Sequence, residues 1–184
     1  KNDAYALVFA TQADGLRTRD LVPTGRGEQL TAIFGAGEVV PDGSSAVDVR
    51  AIVTEVVLRE FAQVMTTGIV EEHRRAVRKH AHLQETIRKR RGLSGPGRPW
   101  RYFWIDNLTA AVHARLASAL FGGAAALDVL ERIHPKDLLA ADIFAVCAEY
   151  EANRKRYPTF GSFLPDLLAR LETRPARPGE DGRR

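Results

Sequence analysis

From Ser44 onward the apolar residues fall at helical spacing. Val49, Val53, Val56, Val57, Phe61 and Val64 form one register. A second register, Leu58, Ala62, Met65, Ile69, His73, Ala76, His80, Leu83 and Ile87, advances in steps of four and three. That is the spacing of a helix–helix seam. Ser45 with Asp48 three residues on supplies an N-terminal cap and a first-turn carboxylate. No proline falls between residues 44 and 95, and within 44–91 only Gly68 weakens the run. The pattern predicts one long helix over 44–91, or two collinear helices hinged at Thr66-Thr67-Gly68. Unbroken, residues 45–91 would extend roughly 70 Å, too far for one small globule to cover. Leu58, Met65, Ile69, His73, His80, Leu83 and Ile87 are therefore expected to form the seam of a homodimer or higher oligomer.

Gly92-Leu-Ser-Gly-Pro-Gly-Arg-Pro99 then reads as a linker over 92–99. A helical bundle is expected over 100–172. Its first helix is capped at Asp106 or Asn107 and carries Leu108, Val112, Leu116 and Leu120, up to Gly122-Gly123. Short helices follow over Ala124–Ile133 and from Pro135, the latter lined by Leu139, Ile143, Val146, Cys147 and Tyr150. A last helix runs over Ser162–Leu171. Residues 173–184, rich in Arg, Pro and Gly, read as a disordered tail. Residues 1–43 are the least regular part, with Tyr5–Thr11 open to a strand or a helical turn and a short helix fitting Glu28–Phe34. The fold class expected is mainly α, with at most one short strand in the irregular N-terminal segment.

Composition narrows the class. With 45% hydrophobic and 27% charged residues, the chain is an ordinary globule and not a disordered one. No apolar run reaches the ~18 residues of a membrane span. The single Cys147 excludes an internal disulfide and points to a reducing, cytoplasmic setting. The chain starts at Lys1 without Met, as expected for a piece of a longer protein.

Charge changes the picture through its placement. Lys and Arg number 27 against 23 Asp and Glu. Yet Arg74, Arg75, Arg78, Lys79, Arg88, Lys89, Arg90, Arg91, Arg98 and Arg101 face a single acid, Glu85, within 74–101. Arg outnumbers Lys 22 to 5, a bias that explains why the bases are arginines but not why they cluster. Trp100-Arg-Tyr-Phe-Trp104 places four aromatics beside them. Cations neutralise phosphates and aromatic planes stack on bases, so the block 74–104, with Trp100 among its contacts, is expected to bind DNA or RNA. The competing reading makes the aromatics core anchors and the module a protein assembly device without nucleic acid.

Other chemistry is thin. His73 and His80 stand about 10.5 Å apart along a helix, too far to share one zinc, and His80 and His82 are expected to point to opposite sides. No metal or cofactor is expected. Neither Gly25-Arg-Gly27 nor Gly35-Ala-Gly37 completes a phosphate-binding loop. No catalytic set is assigned, and Cys147 falls on an apolar stripe. Arg75-Ala-Val-Arg-Lys-His80 resembles, at the level of the Arg-x4-His motif, the RNase signature of all-helical HEPN domains. That resemblance implies an RNase acting across a dimer, with Ala76 departing from the family's usual polar residue after the Arg.

Overall fold

The structure is a computed structural model. It describes residues 4–10, 18–24, 27–35, 53–90, 92–93, 95, 97–132 and 139–174. The cap expected at Ser45–Asp48, the start expected at Pro135 and residues 175–184 lie outside these. Two units divide the chain, residues 1–60 and 61–184.

In the first unit, strands β1 (Ala4–Ala10), β2 (Thr18–Thr24) and β3 (Gly27–Gly35) form one sheet in the order β1-β3-β2. β1 runs parallel to β3, with Tyr5 opposite Leu30. β2 is antiparallel to β3, with Thr24 opposite Gly27. The single strand expected here is corrected to three, and the helix expected over Glu28–Phe34 is strand β3. Two residues separate Thr24 from Gly27, the commonest hairpin connection, and that spacing outranked the short helical pattern. Pro23 cannot donate to a ladder, and it falls on edge strand β2, where its missing N–H costs least.

The rest of the described chain is mainly helical. A π-helical turn, Val53–Val57, leads into α1 (Leu58–Glu72). α2 (Arg74–Lys79) and α3 (His82–Arg90) follow. Beyond the linker come α4 (Trp100–Phe121), α5 (Gly123–Glu131), α6 (Ala140–Ala152) and α7 (Phe160–Thr173).

The long helix does not hinge at Gly68. α1 passes through it, held by Thr66, whose hydroxyl lies 2.8 Å from the Ala62 carbonyl and 2.7 Å from Thr109 Oγ1 on α4. The run bends instead at His73 and at His80-Ala81. At the second bend the backbone tightens to i→i−3 bonds: His80 N to Val77 O and Leu83 N to His80 O, both 3.1 Å. The carbonyls of Ala76 and Lys79 thereby lose their helical donors. Two histidine rings replace them, with Nδ1 of His80 3.0 Å from Ala76 O and Nδ1 of His82 3.2 Å from Lys79 O. Side chains inserted into the ladder are a standard cause of sharp kinks.

The bends turn the apolar stripe back into the chain's own core. Val70, Val77, Leu83 and Ile87 pack there with Phe103, Trp104, Leu108, Ile143, Cys147 and the α7 residues Phe163, Leu164, Leu167, Leu168 and Leu171. Two of the expected seam residues, Leu83 and Ile87, are thus buried within one chain, and Ile69 packs against the same core. Leu58 is buried as well, whereas Met65 is 55% exposed. The 70 Å rod that called for a partner does not form.

Helix ends follow their capping chemistry. α3 closes in a Schellman arrangement: Leu93 N bonds Arg88 O and Gly92 N bonds Lys89 O, with Gly92 at φ 63°. α4 starts at Trp100, not after Asp106. Asn107 is no cap but a buried tie inside α4: its Nδ2 donates to Phe103 O at 2.8 Å, and its Oδ1 accepts from Leu139 N at 2.6 Å. α7 opens with a reciprocal Thr159–Ser162 capping box and reaches Thr173. Arg174 pairs with Asp142 at 3.0 Å, both largely buried, so residues 173 and 174, expected in the disordered tail, belong to the folded part.

Asn107→Ala strands the buried Leu139 N–H and leaves a small void. The variant should lose about 2–3 kcal/mol of unfolding free energy, measured by urea denaturation. A loss below about 0.5 kcal/mol would show that the tie is dispensable.

Candidate functional site

The cations of 74–101 separate into two sets once their partners are counted. In α2, residues 74, 75, 78 and 79 occupy one side of the helix, and all four are exposed. The opposite side carries Val77, fully buried, with Ala76 packed against the core. No acidic residue lies within α2, and no ion pair to Arg74, Arg75, Arg78 or Lys79 occurs among the described residues.

The other cations are engaged. Arg88 donates to Gly95 O at 2.9 Å, and Gln84 beside it donates to Arg98 O at 2.7 Å, so the linker is tied to α3. Lys89 pairs with Glu85 one turn away at 3.6 Å. Arg98 pairs with Asp106, and Arg101 with Glu71 at the end of α1. Arg91 and the side chain of Arg90 lie outside the described residues.

The aromatic cluster is mostly core. Trp104 is fully buried, Phe103 is 4% exposed, and the two rings meet edge-to-face at 5.9 Å. Trp100 is half-buried against the same core. Tyr102 alone faces outward, 47% exposed, with the Arg98 and Arg101 guanidinium carbons 5.9 and 5.6 Å from its ring centroid.

His80 and His82 do not diverge. Their rings lie 6.3 Å apart, and their Nε2 atoms stand 3.6 and 3.0 Å from the two oxygens of Glu172 on α7. A carbonyl only accepts, so each Nδ1 must carry its proton to reach Ala76 O or Lys79 O. His73 packs its ring over Gly161, where an added Cβ would fall 2.5 Å from Nε2. No group of three His, Cys, Asp or Glu with the spacing of a metal site occurs among the described residues. Arg75 and His80 are not brought together, since Arg75 projects to solvent while His80 turns to Ala76 O and Glu172.

Glu71, Glu172 and Tyr102 were not singled out by sequence reasoning. The two acids act through partners on distant helices, a pairing no local spacing signals. Tyr102 was hidden among three more buried neighbours.

The fold and these surfaces define a mainly helical domain with an N-terminal three-stranded sheet, in which no described helix is long and apolar enough to cross a membrane. The chain belongs to the family described as "Domain of unknown function (DUF4932)", whose model matches residues 4–170. No curated protein and no solved structure matches it.

Cys147, 3% exposed, is no nucleophile: burial pushes its thiol up from 9.0 to about 12. The folded protein should resist a thiol reagent at pH 8 and react once unfolded. The unfolded thiol ionises near 9 and the folded one only near 12. Its contribution to stability is therefore complete below the lower value and lost as pH rises toward the higher one. Cys147→Ala should flatten that alkaline decline, measured as melting temperature against pH.

Proposed function

We propose that the helical part of this protein is a non-enzymatic nucleic-acid-binding module, with α2 as its phosphate contact. The observation that carries this reading is the basic patch of Arg74, Arg75, Arg78 and Lys79, exposed together on one side of a helix whose other side is buried. Arg74 with Arg78 and Arg75 with Lys79 are like-charge i,i+4 pairs. Each costs a helix about 0.2–0.5 kcal/mol. A surface that keeps such pairs with no acid between them favours an anionic ligand over stability. Arg88, Lys89, Arg98 and Arg101, also expected at the interface, have intramolecular partners to give up first and contribute less. Trp100 serves the core before it serves a base.

Self-association is a second reading, favoured by the exposure of Met65 at 55%, Leu120 at 61% and Leu127 at 60%. It no longer rests on Leu83 and Ile87, whose replacement by Asp would unfold the chain rather than dissociate it. Light scattering over a concentration series tests it, and a monomer throughout would end it.

Fluorescence anisotropy with labelled DNA and RNA at two salt concentrations tests the main reading. Four phosphate contacts give a slope of log affinity against log salt near −3. Replacing Arg74, Arg75, Arg78 and Lys79 by Gln should abolish most of that slope and binding. The same variant should be no less stable than the parent, because two repulsive pairs are removed. Equal binding by the variant, or no binding by the parent at low salt, rejects the proposal.

A further inference from the structure

We infer that Tyr102 is a base-stacking site and that the ligand is accordingly single-stranded nucleic acid, an inference that rests on the nucleic-acid reading above. Sequence-tolerant binding of single strands combines cations along the backbone with an aromatic face for an unpaired base. Among the described residues, α2 supplies exposed cations and Tyr102 an exposed ring, and α2 packs against α4, the helix that carries Tyr102. Tyr102 is the aromatic of residues 100–104 that leaves the core, with about half its area open. Its neighbours Phe103 and Trp104 are buried and have no face to offer.

The surroundings of Tyr102 are built. Arg98 and Arg101 lie over the ring at 5.9 and 5.6 Å, the outer limit of a cation–π contact, and about half of the residue stays open beside them. Asp106 and Glu71 hold those guanidinium groups in place. Each of these cations has its own carboxylate, so the ring sits in a nearly neutral frame that suits a base more than a phosphate. Glu71 belongs to the last turn of α1, three residues before α2 begins, so the Arg101–Glu71 pair joins the ring's surroundings to the approach to the cationic helix.

Duplex DNA offers phosphates to the α2 cations but no base face to the tyrosine. Its bases are stacked on one another and present only groove edges, which are read by hydrogen-bonding side chains. A single strand presents a phosphate for the cations and a base face for the tyrosine.

The test compares a short single-stranded oligothymidylate with the same strand in duplex with oligodeoxyadenylate. Loss of one base stack weakens binding roughly 5- to 150-fold, the range expected for ~1–3 kcal/mol. Tyr102→Ala should show that loss on the single strand and none on the duplex, with its melting temperature near the parent's. Tyr102→Phe, which keeps the ring, should bind as the parent does. Unchanged single-strand affinity in Tyr102→Ala, or equal losses on both ligands, overturns the inference. If the parent binds and only the α2 glutamine variant fails, the phosphate reading stands and the stacking site falls. If the parent binds neither ligand, both fall together.

Discussion

The helical unit depends on where two backbone carbonyls find their hydrogen bonds. Had Ala76 O and Lys79 O kept their helical donors, the run from Leu58 would have been broken only at His73. Their capture by His80 and His82 frees the intervening amides to tighten by one residue. The Ala76 carbonyl is partly buried, so a donor from the side chain offsets part of the cost of its lost helical bond, whereas the Lys79 carbonyl is exposed. Histidine suits the task because its Nδ1 lies close enough to the main chain to donate to a carbonyl one turn back. Glu172 then meets both rings from α7, so the corner that redirects the chain is also where the last helix docks.

Once the chain turns, one short helix has two duties. Val77 must enter the core, and with Ala76 it takes the inward side of α2. Everything pointing outward there is cationic. Elsewhere in the core, polar groups are matched across helices at Thr66–Thr109 and at Asn107 between α4 and the start of α6. Such pairs add less energy than apolar contacts of equal volume, but they admit one alignment of the helices and penalise every other.

The helical class, the apolar stripe and the burial of Cys147 were legible because period and composition decide them. Leu83, Ile87, Ile143 and Leu167 occupy positions that a 3.6-residue period marks as inward. The bends were not legible. Gly68 is the weakest helix former in the run, yet it stays helical, because tertiary anchoring by Thr66 outweighs a propensity term of about 1 kcal/mol. His80 and His82 carry no breaking signal of their own, and their effect needs two carbonyls and an acid ninety residues away. The sheet was obscured for another reason: β1 pairs with β3 in parallel across β2, a connection with no local turn signature.

The same distinction governs charge. Ten cations within 74–101 look alike in sequence, and only the fold sorts them by partner. An arginine held by a carboxylate contributes little net attraction to a phosphate, since the ligand must first displace a charge already neutralised. Arg98 and Arg101 therefore frame Tyr102 more than they attract anions. No such pair to the α2 cations occurs among the described residues, so their mutual repulsion stays as a local cost of about 0.2–0.5 kcal/mol per i,i+4 pair. Density of charge marks a whole segment, whereas accounting for each partner separates one side of one six-residue helix from the cations already paired.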